Sequence, residues 1–559
     1  MKKTRFNIAV KSKAIFIATA MAVIMLPAAV FPAGNGAAAQ SKNFKLSQGL
    51  EVEYNILKYL STDYVDTINF GKLLNVGIDE MLNSIDPYTE YIPDENQEEI
   101  DLITTASYGG IGAVIRKIDS LGVEIEQVYD GSPAVTYNLE PGDLILKIDG
   151  ADVKPLTADE CSKKMKGTPG TDVKFLVKKG RTGETKELVV KRDRVHISDV
   201  SYSGLLKDST GRVTKDGYIK IDGFSLGGGA DVRKAVQNLK TEGAKRIVLD
   251  LRGNGGGLMD EAVNILSVLL PKGTEVVSAK GRGEGSNFTI NTKEEPVDTQ
   301  IPIMVLVNSA SASSSEIVTG AIQDLDRGTI MGTKTYGKGL VQSFRPVGYN
   351  GKLKLTTSKY YTPSGRCIQV LDYAHRNADG SAGTVPDSLK KAFKTKNGRT
   401  VYDGGGITPD IEVKGENYSR PAYSLVVSGI MEEYAVDYYK KHNTIAAPDK
   451  FSLTAAEYAD FVKFASKKKF DERSGAEVLV EQMIEEAKKD GMYDADKAEY
   501  DALSKKLKLT KEQMLNVKKA EIKPLLEEEI VQKYYYIPGR VSSIIRNDKQ
   551  LHKAVSLWK

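Results

Sequence analysis

The period of apolar and polar positions changes from one stretch of this chain to the next. Between residues 40 and 103, Leu46, Leu50, Tyr54, Leu57, Tyr59 and Leu60 recur near helical spacing, and GIDEMLNSIDPYTEYIP (77–93) closes that segment on Pro87 and Pro93. Residues 104–192 shift to short strands between glycine turns, at 123–128, 144–148, 173–177 and 187–190. One helix among them opens at Thr157, with Glu160 completing a capping box. Residues 193–417 alternate strand and helix. RIVLDLR (246–252) and PIMVLVN (302–308) are almost wholly apolar, which suits strands buried on both faces. Each leads through a small-residue loop into a helical pattern, the first over 258–270 and the second with Ile317, Val318, Ala321, Ile322 and Leu325 on one stripe. Two such units in succession predict an α/β layer. Residues 418–559 are charged and helix-patterned, with breaks at Pro448, Pro524 and Pro538, and read as a solvated helical appendage.

Composition changes this picture only at the start of the chain. Over 559 residues, 41% are hydrophobic and 27% charged, an ordinary globular balance. Of 78 Lys and Arg, five lie in the first 39 residues with no acid among them, which leaves 73 basic against 74 acidic residues. A near-neutral body gives no electrostatic reason to expect a nucleic-acid partner. The basic start, the apolar run 14–31 and the small residues 34–39 predict a secretory signal over 1–39, with an uncleaved membrane anchor as the alternative. Export to a periplasm or cell envelope follows. Cys161 and Cys367 build no disulfide framework, and their spacing leaves open whether they pair.

Chemistry narrows quickly. The four histidines, His196, His375, His442 and His552, have no metal-ligand spacing, and no phosphate-cradling P-loop occurs, so neither metal nor other cofactor is expected. Gly223-Phe224-Ser225-Leu226-Gly227 is a literal G-x-S-x-G between a strand-like and a helical stretch, but lacks a well-placed later histidine. The stronger candidate is SASASSSE (309–316), where strand 302–308 hands over to a helix. That is the carboxyl end of a buried strand, with helix N-terminal amides beside it. The glycine loop 253–257 ends the neighbouring strand. Periodicity does not choose among Ser309, Ser311, Ser313, Ser314 and Ser315. Lys338, between Gly337 and Gly339 in a stretch suited to a buried β edge, can serve as base only when neutral. Its pKa must then fall by about 3 units, roughly 4 kcal/mol, which burial supplies.

DLRGNGGG (250–257), SASSSE (311–316), YGKGLVQ (336–342), LTTSKYYTPSGRCIQ (355–369) and GGGITPD (404–410) follow one another in an order that closely resembles the C-terminal processing peptidases, or tail-specific proteases. GIDEMLNSIDPYTEYIP resembles the stretch before that family's PDZ domain. The resemblance implies a multidomain α+β chain. It has a crotonase-like α/β serine peptidase core of ββα type (193–417), a PDZ domain inserted at 104–192, a helical segment at 40–103 and a helical domain at 418–559. It also implies Ser313 as nucleophile, Lys338 as general base and Gln342 as the residue orienting the lysine. Were Lys338 and Gln342 on one strand, they would face the same side. Backbone amides of Gly256 and Ser314 would form the oxyanion hole, Asp324 would be structural, and Ser314 stands where the family has alanine. Tyr108, Gly109, Gly110, Ile111 and Gly112 would form the loop that binds a substrate C-terminus. The expected partners are proteins or peptides with free C-termini, with an adaptor or self-association through 418–559.

Overall fold

The two apolar runs lie at the centre of a six-stranded sheet in the computed structural model, which describes residues 36–94, 104–118, 121–208, 210–415 and 417–558. The sheet order is Val200–Lys207, Val213–Ile221, Arg246–Asp250, Ile303–Val307, Thr329–Gly332, Ile411–Glu412. The first pair is antiparallel and the rest are parallel. Every residue of Ile303–Val307 is buried because both faces are covered. On one face Ile247, Leu249, Val305 and Val307 meet helices Gly228–Thr241, Met259–Leu269 and Ser314–Asp324. On the other, Val248, Met304, Leu306 and Met331 meet Val541, Leu551 and Ala554.

That second cover overturns the reading of 418–559 as a solvated appendage. Its helices share a core of their own, including Leu425, Tyr434, Phe461, Leu526 and Ile530, and helix Lys549–Ser556 seals the sheet. Pro448 does separate helices Ile430–Lys441 and Ala455–Ser466. Pro524 and Pro538 instead fall inside Lys519–Asn547. Pro524 sits near the start of that helix, where little of the hydrogen-bond ladder lies behind it. Pro538 follows a kink at Tyr536 (φ 57°, ψ −164°).

A five-stranded antiparallel sheet completes the core and was not expected. Its long strand Gly351–Tyr361 pairs with Leu340–Gly348, Glu90–Ile92 and Glu275–Gly281, and the last of these pairs with Phe288–Asn291. Because Glu90–Ile92 belongs to this sheet, the β-rich module that follows is inserted between two parts of one core. The module's sheet runs Ala113–Ile118, Gly122–Val128, Leu144–Ile148, Asp172–Lys178, Thr185–Lys191. Helix Ala158–Met165 carries the capping box expected at Thr157 and Glu160. Cys161 is buried in this module and Cys367 lies in the core; both are free thiols.

Of the described residues, 36–80 form a separate unit, with helix Gly36–Asp63 and most of Phe70–Asn83. The basic and apolar start of the proposed signal, through residue 35, lies outside the described residues. Among the described residues no helix is long and apolar enough to cross a membrane.

Leu551 is 1% exposed and packs against the six-stranded sheet. Leu551→Ala is expected to destabilise the core by about 2–5 kcal/mol. In differential scanning calorimetry the core transition should move down. An unmoved core transition would mean that the helix is dispensable.

Candidate active site

Strand Ile303–Val307 ends in a tight loop whose serines the fold sorts by their hydroxyls. Ser311 Oγ donates to Leu251 O (2.8 Å), Ser314 Oγ to Gly257 O (2.8 Å) and Ser315 Oγ to Asn254 O (2.9 Å). These three stitch the serine loop to the glycine loop. Ser309 is exposed on the turn. Ser313 alone combines a half-buried position, a hydroxyl that donates no hydrogen bond among the described residues, and the cap position of helix Ser314–Asp324.

The Ser313 backbone is held in a costly conformation, φ 55° and ψ −116°. Such geometry costs of order 1–3 kcal/mol and persists only where its surroundings over-determine it. Here they do. The Ser313 N–H donates to Glu316 Oε2 (2.9 Å), and its carbonyl accepts from Ile317 N–H (3.0 Å) and from the buried Tyr360 hydroxyl (3.0 Å). Gly256, at φ 103°, lies directly beneath: a Cβ there would stand 2.7 Å from Ser313 Cβ and 2.8 Å from Ala312 O. Gly256 was expected to supply an oxyanion amide. Its N–H instead donates to Asn254 Oδ1 (2.9 Å). The Ser314 N–H has no acceptor among the described residues.

Glu316 is fully buried and joins two loops. Besides Ser313 it accepts from Lys338 N–H at Oε2 (2.9 Å), and from Gly337 N–H (2.7 Å) and Thr335 Oγ1 (2.6 Å) at Oε1. Burial pushes its pKa up, and the four donors oppose that push. In the sequence Glu316 served only to count back to Ser313. The signal that could have found its role is the S-x-x-E spacing, the same capping box recognised at Thr157.

Lys338 does not sit on the β edge the sequence suggested. It lies in the loop before strand Leu340–Gly348, and a register shift separates Val341 from Gln342, so strand parity does not relate Lys338 to Gln342. Its half-buried ammonium stands over the Tyr88 ring, 4.2 Å from the centroid. Among the described residues no hydrogen bond joins Lys338 Nζ to Ser313 Oγ or to Gln342. Desolvation first, and the charge of Lys354 second, push the Lys338 pKa below its ordinary value; Asp86, Glu90 and Glu316 pull it back. Gln342 Nε2 is buried without a partner, a donor waiting for an acceptor. Asp324 is structural: it pairs with the 2%-exposed Arg366 (2.7 Å) and accepts from Thr362 Oγ1 (2.5 Å) and Ser364 N–H (3.1 Å).

The rival Ser225 is 4% exposed, its N–H is bound to Asp199 Oδ2 (2.6 Å), and no histidine is bonded to it among the described residues. Of the expected carboxylate loop, Tyr108, Gly109 and Gly110 are strand, paired with Asp193–His196. Ile111 and Gly112 (φ 77°) form the turn into Ala113–Ile118. Among the described residues that strand pairs on one side only, with Gly122–Val128, and helix Ala158–Met165 lies beside it. Among the described residues no group of three or more His, Cys, Asp or Glu side chains is placed to hold a metal ion.

Glu316→Gln keeps the size of the side chain but offers an NH2 to donors that need an acceptor. Labelling of Ser313 by a fluorophosphonate probe should slow by about 100-fold, the cost of a small misplacement of reacting groups. Labelling within a few-fold of wild type would show that the two loops hold themselves.

Residues 215–373 match peptidase family S41, residues 99–178 the PDZ domain, and residues 421–558 the probable PDZ-protease C-terminal helical domain. Over 322 residues the chain is 35% identical to a carboxy-terminal-processing protease of Bartonella bacilliformis, covering 57% of this chain and 72% of that one. Over 317 residues it is 35% identical to a probable CtpA-like serine protease of Staphylococcus aureus, covering 56% and 61%. A solved photosystem II D1 C-terminal processing protease is 23% identical, covering 65% of this chain and 86% of that one at a TM-score of 0.34. With the serine loop, the inserted PDZ domain and the helical C-terminal region in place, the chain belongs to the carboxy-terminal-processing proteases, serine peptidases of family S41.

Proposed function

We propose that this peptidase works by a Ser–Lys mechanism on proteins whose C-terminal tails it captures with its PDZ domain. Ser313 Oγ attacks the scissile carbonyl while the neutral Lys338 amine takes its proton; the C–N bond then breaks as Lys338 returns that proton to the leaving amine. Water hydrolyses the acyl-enzyme by the same proton path. The Ser314 N–H, at a helix N-terminus, donates to the oxyanion. Gln342 orients Lys338 when the amine swings toward Ser313, its Oε1 accepting an Nζ–H so that the amine lone pair stays aimed at the serine hydroxyl. The observation that carries this reading is Glu316, whose single Oε2 accepts both the Ser313 and the Lys338 backbone N–H. Nucleophile and base are thereby tethered to one buried atom.

Tail capture is supported by the one-sided strand Ala113–Ile118 beside helix Ala158–Met165, which leaves an edge for an added strand. Ile111 and Gly112 at its head are where the tail carboxylate would lie, with the strand Tyr108 to Gly110 behind them. The start of the chain supports export, and with it action in the periplasm or cell envelope. Attachment of an adaptor or a second copy is assigned to helices Gly475–Lys489 and Lys497–Leu507, which expose Leu479, Met483 and Leu503.

Ser313→Ala and Lys338→Ala should each lower cleavage of an unfolded polypeptide by about 10⁴-fold or more with circular dichroism unchanged. Full activity in either overturns the mechanism. In wild type, kcat/KM should rise with pH as Lys338 loses its proton, with the limb below the ordinary lysine pKa of about 10.4. Amidating the C-terminus of the same substrate should raise KM by roughly tenfold, since an amide lacks the charge a carboxylate brings to backbone N–H groups. Equal KM values would remove tail recognition and leave the peptidase.

A further inference from the structure

The segment ahead of the PDZ domain is pinned to the core at both ends. Arg376 Nη2 donates to the carbonyls of Ser84 (2.8 Å) and Ile85 (3.1 Å). At the other end Glu90–Ile92 pairs with residues 352–354 of the long strand, and Lys354 Nζ reaches Glu90 Oε1 (2.6 Å). Between them Asp86, 4% exposed, builds a tight turn. Its Oδ1 accepts Tyr88 N–H (2.8 Å) and Thr89 N–H (2.7 Å), and its Oδ2 accepts the Thr89 hydroxyl (3.0 Å). The turn carries the Tyr88 ring to the active site. Lys338 Nζ lies over its face at 4.2 Å, Tyr373 meets it edge-on at 6.2 Å, and its hydroxyl is 3.4 Å from that of Tyr336. The ring is held from both sides and by both chain directions.

We propose that Tyr88 is a positioning residue for the reaction: its ring face is the seat on which the Lys338 ammonium waits, unbonded to Ser313, until a substrate chain draws it across. This rests on the reading of Lys338 as the base. An aromatic face attracts an ammonium and not a neutral amine, so the seat favours the protonated lysine. Burial and Lys354 on the long strand act the other way. The remaining charges facing Lys338 are Asp86 and Glu90 on the same segment and Glu316 on the serine helix, and all favour the ammonium. Substitution at 88 leaves these charges in place, so what it changes is the ring face. The seat therefore sets how much of the enzyme stands ready at a given pH, and couples that fraction to the segment that leads into the tail-binding domain.

The test uses the full chain with Phe, a series of fluorinated phenylalanines and Leu at position 88. Fluorination weakens the negative ring face at nearly constant size. The readout is kcat/KM for an unfolded polypeptide from about pH 6 to pH 11, whose limb reports the free enzyme. The limb should hold its place in Tyr88→Phe and step to lower pH along the fluorinated series. In Tyr88→Leu it should lie about 0.5–1.5 pH units lower, the span of a cation–aromatic contact. A limb position does not depend on the amount of folded enzyme, so a poorly folding Leu variant still reports. A limb unmoved across the series, beside an inactive Lys338→Ala, overturns the seat and leaves the base. An active Lys338→Ala overturns the base, and the seat with it.

Discussion

A buried carboxylate with four donors is the constraint on which this active site hangs. Among the described residues no cation is bonded to Glu316, so its charge is tolerable only while Ser313, Thr335, Gly337 and Lys338 all point at it. Losing one donor leaves a buried lone pair unpaired. The arrangement is therefore close to all-or-none, as partly satisfied buried networks are costly. It offsets the strained Ser313 backbone and fixes where the lysine loop begins. Gly256 closes the site from below, because only a residue without Cβ fits under Ser313.

Around that site the helical C-terminal domain has two jobs. It covers the second face of the peptidase sheet, and it also holds the PDZ domain. Lys440 Nζ meets Glu124 Oε1 (2.5 Å), Arg181 stacks 4.0 Å over the Tyr439 ring, and Gln532 bonds Gln127. Tyr536, at the helix kink, packs against the PDZ core. Glu124 and Gln127 lie on the strand next to Ala113–Ile118, whose far edge has no partner strand among the described residues. Much of this contact is polar, including Glu126, whose pKa burial and the nearby Glu432 push up. Polar interfaces of this kind suit domains that shift against one another more than a welded core does.

How much of this was legible in the sequence follows from burial. Runs buried on both faces, such as 303–307, and helices with a full apolar stripe were readable because nearly every position in them answers to one environment. The strand Gly351–Tyr361 was not: its middle positions are all half-buried, so no alternation survives. The C-terminal helices looked solvated because their sheet-facing residues, Val541, Leu551 and Ala554, are sparse among charges. In the site, composition and period reached the serine loop and stopped. Resemblance singled out Ser313, and the fold supplies a physical reason in the engaged hydroxyls of Ser311, Ser314 and Ser315. The role of Glu316 was half legible, its S-x-x-E spacing giving the helix cap but not the second loop it meets, and that of Tyr88 was invisible, since it depends on a strand pairing far along the chain.

That pairing has a consequence for how the enzyme comes into being. Glu90 and Lys354 are 264 positions apart, with the whole PDZ domain and much of the peptidase between them. A chain emerging in order cannot lay the Tyr88 segment onto its strand until that strand exists, and closing so long a loop is slow and entropically costly. The PDZ domain, with mostly local pairings, can be complete well before. During biogenesis there is thus an interval in which the PDZ domain is folded and the segment that carries Tyr88 to Lys338 is not yet in place.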